Sequence, residues 1–441
     1  MTDSKTEPNA RSFSRGYVRY AIGVVFLVSV FNTIDRTVIA ILVPGPLGIQ
    51  ADLGLDDADL GWLLGPAFSW VHLAAVLPCA WLADRTSRKR VIAAGLFVWS
   101  AMTALGGLAT GFWTLFVTRM GVGIGEAAGS PPAASLLSDT APESMRARAL
   151  SGITIGALVG VGGGLVVGGF LVDVTGWRWA LFAVGAPGLL IALLILTTVR
   201  EPARQGAAAA SPRAALRHLL SLASFRWVLV AVGVTGVSSM GRSMFEAVFL
   251  ARVYGMSGFE VGVMIFSVSA VPTMVGAFVG SSLADRLRER DDRWPLWVCA
   301  IGNLVSTPFL LVFLLSPGDS GGVTGLALGC WAVGSMLFGF FSAPTGAVAQ
   351  ALALPNMRAL AHAIWSMVLN FGLGPLLVGF LAQFWAVDYG DNAIRYAVAA
   401  VTALAPISAW LFWKASQPFP ADLERVAAIE AAQRADGPAD R

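Results

Sequence analysis

The chain has 441 residues, 56% of them hydrophobic and only 13% charged, with a mean hydropathy of +0.70 and a formal net charge of +3. Soluble domains carry about 25% charged residues, so polar surface is too scarce here to cover a globule, and lipid has to supply the missing solvent. The small net charge gives no reason to expect a nucleic-acid partner.

The three cysteines, Cys79, Cys299 and Cys330, fall inside apolar runs far apart in sequence. They have neither zinc spacing nor a paired framework and read as small buried residues. Lysine is scarce against 27 arginines, a composition that suggests a GC-rich bacterial genome.

A crossing helix needs roughly 20 apolar residues to traverse about 30 Å of hydrocarbon. The polar residues 1–17 precede an apolar run too long for a signal peptide, which reads as an uncleaved first span. The spacing predicts spans at 18–44, 59–83, 91–110, 112–138, 149–173 and 178–199. A polar linker, 200–226, carries Arg200, Glu201, Arg204, Arg213, Arg217 and His218. Six further spans follow at 227–252, 259–284, 295–315, 323–351, 359–385 and 393–414, and a charged tail occupies 415–441.

The basic residues test this order. With the N-terminus inside, the tails and even-numbered loops hold 24 of the 30 Lys and Arg. The outer loops hold Arg178, Arg252 and Arg395, while Arg36, Arg119 and Arg242 fall within spans. That asymmetry is the positive-inside pattern and places both termini in the cytoplasm, in a multi-pass protein of the inner (plasma) membrane. The chain also repeats itself. Leu82-Ala83-Asp84-Arg85 recurs as Leu283-Ala284-Asp285-Arg286, each at the end of the second span of its half, and Met145-Arg146-Ala147 recurs as Met357-Arg358-Ala359. A duplicated six-helix unit with both halves in the same orientation is expected.

The segment Ala80-Trp-Leu-Ala-Asp84-Arg85-Thr-Ser-Arg88-Lys89-Arg90 resembles the signature loop of the major facilitator superfamily, GxLaDrxGRkr, with Ala80 and Ser87 in place of two glycines. Arg119-Met-Gly-Val-Gly-Ile-Gly125 resembles that family's fourth-helix pattern, and Gly156 to Gly169 its glycine-rich fifth helix. Two segments look like the spinster branch, Asn32-Thr-Ile-Asp35-Arg36 and Arg119-x-x-x-Gly123-x-Gly125-Glu126-Ala127. The resemblance implies an all-α membrane fold of twelve helices in two pseudo-symmetric bundles. It also implies a substrate of sphingolipid or lysophospholipid type, and a cytoplasmic gate at Asp84 and Arg85 with Asp285 as its copy. A sugar-phosphate, drug or organic-anion facilitator of the same superfamily shares parts of both patterns.

Charges inside a membrane are costly and default to functional hypotheses. Asp35 and Arg36 are about 100° apart on one helix and cannot face one partner. Arg119 and Glu126, two turns apart, share a face but lie too far apart along the axis to touch. By depth Asp35 and Arg119 are within reach of each other. Asp35, Arg36, Arg119 and Glu126 are therefore expected to form one polar network for proton coupling, with Arg36, Arg119 and Glu126 also meeting substrate. In the second half Arg242 and Glu246 sit at (i, i+4), either as a second substrate station or as a self-neutralising pair. His72 reads as a packed residue, and Phe338, Phe340 and Phe341 as lining either a cavity or the lipid face.

The fifth-span glycines mimic a dinucleotide fingerprint, but no strand precedes them. Neither a metal cluster, a nucleophile motif nor a GxxxxGK[ST] phosphate loop occurs, which argues against an enzyme or an ATP-driven pump. The expectation is a monomeric secondary transporter without cofactor, driven by the proton gradient and carrying a small amphipathic substrate in contact with membrane lipid.

Overall fold

The computed structural model describes residues 13–201, 212–317 and 323–435, and within them it is helical with no strand. Eight helical stretches are long and apolar enough to cross a bilayer. Two of these, Ala149–Thr198 with 50 residues and Pro355–Ser416 with 62, are twice the length of one crossing. Each doubles back, the first at Gly176 and the second at the Gly390–Asn392 turn. Gly176 holds φ at 77°, a left-handed conformation that a side chain would strain. Two more crossings are less apolar or interrupted, for local reasons. Arg88–Gly106 opens with three basic residues, and the next is split into Phe112–Ala127 and Ser130–Thr140. The described residues therefore make twelve crossings.

In chain order these are α1 (Arg15–Leu42), α2 (Asp57–Leu64 and Pro66–Arg85), α3 (Arg88–Gly106) and α4 (Phe112–Ala127 and Ser130–Thr140). Next, α5 runs through Glu143–Gly162 and a π-helical segment, Gly163–Val167, to the turn at Gly176, and α6 covers 177–198. The second half comprises α7 (Ala223–Tyr254), α8 (Gly258–Met264, the π-helical Ile265–Ala270, and Val271–Arg288) and α9 (Trp294–Leu315). It closes with α10 (Gly325–Phe338 and Ser342–Ala351), α11 (Arg358–Leu369 and Leu373–Tyr389) and α12 (Ala393–Thr402 and Ala405–Ser416). Both Ala-Asp-Arg repeats lie at the end of the molecule where α1 begins and α12 finishes, here called the terminal end; the opposite end is the far end.

Local chemistry sets the helix starts. Ser14 accepts the Tyr17 amide at 3.2 Å, Asp56 and Asp59 form a capping box, and so do Ser257 and Glu260. α7 starts at Ala223, earlier than the sequence suggests. The carboxylate of Asp422, on the tail helix Phe419–Ala435, accepts from the Ser224 amide at 2.8 Å and its hydroxyl at 2.6 Å, satisfying donors at that helix start.

Glycine seams fix the first bundle. Along α5 a Cβ at Gly156 would meet the Phe26 carbonyl oxygen at 2.7 Å, and one at Gly160 the Val30 oxygen at 2.5 Å. Gly164 and Gly168 continue the stripe against Thr37 and Val38. These glycines let α1 lie directly on α5, which orients the polar face of α1 inward. On α4 a Cβ at Gly123 would meet the Phe68 oxygen of α2 at 2.7 Å, and one at Gly125 the Trp99 nitrogen of α3 at 2.5 Å. The two glycines bring α2 and α3 against α4 beside Glu126.

Candidate functional site

The converging faces of α1, α2, α3 and α4 enclose a charged cluster. Arg36 donates through Nε to Glu126 Oε2 at 2.5 Å, with 38% of the Arg36 side chain exposed and none of Glu126. Asp35 is 1% exposed. Trp99 and Thr103 of α3 and Arg119 of α4 are its neighbours, but no donor reaches either of its oxygens in hydrogen-bonding geometry. Arg119 is also buried, with Nε unmatched. Its guanidinium carbon and that of Arg36 lie 5.6 and 5.2 Å from the centroid of one ring, Phe68. His72 stacks on the same ring at 5.2 Å, and its Nδ1 lies 3.2 Å from the Gly123 oxygen.

The four residues expected to form a network are gathered here, but with different pairing. Asp35 and Arg119 are not within ion-pair distance. The longer Arg36 side chain takes Glu126, the short Asp35 carboxylate turns toward α3, and Arg119 lies against Phe68. Phe68, Trp99 and Thr103 were not singled out from sequence, and Asn32 was named only as the start of the segment that resembles the spinster branch. The i, i+3, i+4 spacing of Asn32, Asp35 and Arg36 was the available signal for the first-helix face.

Of the twelve buried side-chain polar atoms without a hydrogen-bond partner among the described residues, seven belong to this cluster. They are Asn32 Nδ2, both Asp35 oxygens, Trp99 Nε1, Thr103 Oγ1, Arg119 Nε and Glu126 Oε1. Native structures keep nearly all such groups paired; here Trp99 and Thr103 lie beside the Asp35 carboxylate and Asn32 beside that of Glu126, so donors and acceptors face one another without closing into good hydrogen bonds.

The second half presents the opposite case. Arg242 donates to Glu246 Oε1 at 2.9 Å, Trp331 of α10 to the same oxygen at 2.9 Å, and Ser269 of α8 to Oε2 at 3.1 Å. Arg242 also lies over Phe338 at 5.4 Å. Phe338 and Phe341 are buried, packed edge to face at 5.1 Å.

At the far end the halves are joined. Arg252 of α7 binds the Asp57 carboxylate of α2 and donates to Gln50 at 2.8 Å, and Gln383 of α11 accepts the Asp57 amide at 3.2 Å. Asp173 of α5 accepts the Gly258 and Phe259 amides of α8, both at 2.8 Å. Lower down, Trp70 of α2 donates to the Phe371 carbonyl at 3.0 Å, where α11 breaks at Gly372 (φ 81°). Below that break an apolar cavity of about 850 Å³ opens between Leu73 and Leu77 of α2, Val230 and Val234 of α7, and Ile364 and Val368 of α11. The wall carries no charged residue.

At the terminal end the side chain of Asp84 lies outside the described residues. Arg85 stacks on Trp81 at 4.1 Å, and Asp285 is exposed with no ion pair among the described residues. The neighbouring Arg88 instead ties the first half to itself, binding Asp139 of α4 and, at 3.1 Å, Glu201 after α6. Ser87 and the Lys89 amide also donate to Glu201, at 2.7 and 3.0 Å. Partial burial pushes that carboxyl up, but the bonds from Ser87, Lys89 and Arg88 outweigh it and hold it below its ordinary value.

Two six-helix halves, a charged cluster inside one of them, a seal at one end and a cavity below it define a membrane transporter. Residues 25–291 match the Major Facilitator Superfamily model. An MFS-type efflux pump of Mycolicibacterium smegmatis is 33% identical over 412 residues, 91% of this chain and 94% of the relative. Protein spinster homolog 3 of Danio rerio is 29% identical over 406 residues, 85% of this chain and 79% of that one. A bacterial homolog of the human lysosomal transporter spinster, solved inward-facing and occupied, superposes with a TM-score of 0.81 at 25% identity, covering 93% and 99% of the two chains. The chain belongs to the Major Facilitator Superfamily and is a transporter, not an enzyme.

Proposed function

We propose that this protein is a proton-coupled secondary transporter of anionic, amphipathic, lipid-like molecules, working by alternating access. The observation that carries this reading is the side-by-side placement of a cationic cluster and an apolar cavity on adjoining faces of α2. Phe68 and His72 face Arg36 and Arg119, while Leu73 and Leu77 face the cavity. A head group would meet the arginines and a hydrocarbon tail would fill the cavity. The resemblance of Asn32-Thr-Ile-Asp35-Arg36 and of the Arg119–Ala127 segment to the spinster branch implies the same substrate class.

The proton in this reading is carried by Glu126 and Asp35, because the first-half cluster has unmatched atoms. The bonded Arg242–Glu246 cluster is assigned a supporting role. With the termini in the cytoplasm of the inner membrane, the far end faces outward, and a state sealed there is inward-facing. Outward opening would then require the Asp57–Arg252 and Asp173–α8 contacts to part. The gating role inferred for Asp84, Arg85 and Asp285 belongs to that other state, in which the terminal end closes.

Tail length tests the substrate class. Each buried CH₂ is worth about 0.8 kcal/mol, roughly fourfold in affinity. In liposomes, half-saturation for anionic lysolipids is expected to improve by roughly that factor per carbon until the cavity is full. Ala74→Trp, on the cavity wall, should remove the gain. Equal transport of compact organic anions without tails would instead favour a broad-specificity drug or organic-anion facilitator, the reading closer to the mycobacterial efflux pump.

A further inference from the structure

One small cavity lies inside the first bundle, apart from the space between the halves. It offers about 30 Å³ to a water-sized sphere, between Ser29 and Asn32 of α1, Trp99 of α3, Gly129 and Ala133 of α4, and Ile153 of α5. A water needs at least ~10–15 Å³ of such space and two to four polar partners. Three polar side chains line it, Ser29, Asn32 and Trp99. Asn32 Nδ2 is buried and makes no hydrogen bond of good geometry, and Ser29 Oγ donates to the Ile153 carbonyl at 2.7 Å, leaving its lone pairs free to accept.

Asn32 also neighbours the Glu126 carboxylate. Glu126 uses Oε2 for Arg36, while Oε1 is buried and unmatched. One side chain thus stands between an unmatched carboxylate oxygen and a water-sized cavity, and the cavity begins at Gly129, one turn along α4 from Glu126. We propose that this cavity is a water site and that Asn32 is the positioning residue connecting it to Glu126.

The amide has two acceptors in reach. It donates to Glu126 when the carboxylate is charged. When the carboxyl takes a proton, the amide turns its N–H to the water, and its Oδ1 accepts a hydrogen bond from the carboxyl O–H, the proton staying on Glu126. No bond to carbon changes, and the only particle exchanged is the proton that Glu126 binds. The arrangement keeps both protonation states hydrogen-bonded, which a dry pocket would not. The charged and titratable groups around it are Asp35 and Arg36 of α1, His72 of α2, and Arg119 and Glu126 of α4; α3 and α5 contribute Trp99, Thr103 and Ile153, which do not titrate. The mechanism rests on Glu126 as the proton-binding group, but the water site can be tested without substrate.

Radiolytic hydroxyl-radical footprinting in H₂¹⁸O reads it directly, because internal waters label the side chains they touch. Trp99 and Trp331 are both 0% exposed. Trp331 is the control, with its N–H on Glu246 and its ring stacked on Phe313 at 4.4 Å. Trp99 should label at least tenfold faster than Trp331 in the intact protein, and filling the cavity with Ala133→Val, or more gently with Val28→Ile on the α1 side of its wall, should erase the difference. In vesicles Asn32→Leu should shift the pH midpoint of uptake, and Asn32→Gln should restore it in part. Trp99 as silent as Trp331, or labelling that both filling variants leave unchanged, would overturn the water site. An altered footprint with no pH-gradient dependence of uptake in the unmodified protein would retain the water site and overturn the reading of Glu126.

Discussion

Arg252, in the last turn of α7, grips both carboxylate oxygens of Asp57 at the first turn of α2, so one bidentate pair ties the two halves together at the far end. The pair is backed by Gln50 and Gln383 and is mostly buried. Just below it, a Cβ on Gly61 would meet the Pro375 oxygen at 3.0 Å, so the α2 and α11 backbones are in contact. If outward opening parts this pair, as the proposed cycle requires, the pair stabilises one state only, which is the condition for shifting a conformational equilibrium.

Asp57→Asn should therefore favour the far-open state. Hydrogen bonds to charged groups contribute about 1.5–3 kcal/mol, enough to move the population by roughly 10- to 100-fold. Spin labels at Leu108 and Val387, both exposed, should gain a longer-distance population. Gly65→Ala, whose Cβ would collide with the Gly372 carbonyl, should act in the same direction. An unchanged distance distribution in both variants would remove the pair from gating.

Arg242 and Glu246 should behave as structure. Their side chains are 5% and 2% exposed, and Glu246 has three donors. Breaking a buried pair by removing one partner costs about 3–5 kcal/mol. Glu246→Ala is expected to lower the melting temperature by several degrees, and Glu246→Gln to keep the pH dependence of transport. Loss of that dependence with normal melting would make Glu246 a coupling residue.

Glu201 gives a pH signature outside the membrane. Its carboxyl is held below its ordinary value of 4.5, so the folded protein prefers it charged. That contribution is complete well above pH 4.5 and fades as pH falls through the lower native value. Glu201→Gln should lower the melting temperature at pH 7, and the gap from the unmodified protein should close on acidification. A gap that does not change with pH would contradict the assignment.

The orientation has its own test. Cysteines at Thr110, at the far end, and Glu424, at the terminal end, are both placed on exposed positions. In right-side-out membranes an impermeant thiol reagent should label only the first. Labelling of both from one side would overturn the topology.

The crossings were legible because a helix in lipid must satisfy its own backbone over a fixed thickness, and hydropathy records that directly. Boundaries were less so. The early start of α7 depends on Asp422, almost 200 residues away in the chain, which no local pattern around Ser224 can reveal. The charged cluster was partly legible, because each intramembrane charge stands out singly. Pairing was not, since whether Arg36 or Arg119 takes a carboxylate depends on how closely Gly123 and Gly125 admit α2 and α3. Phe68 and Trp99 look like any other aromatic in an apolar run until two arginines and an aspartate are seen beside them.

Glu126 remains the center of the account. The pH-gradient-driven accumulation of a labelled anionic lysolipid in proteoliposomes, measured beside its equilibrium binding, tests it most directly. Glu126→Gln keeps the shape of the protonated carboxyl, and Arg36, with 38% of its side chain exposed, can be solvated when its partner loses charge. This variant should bind within a fewfold of the unmodified protein but no longer accumulate substrate, while Arg119→Ala should lose binding. Accumulation by Glu126→Gln with normal pH dependence would contradict it and move the proton to Asp35.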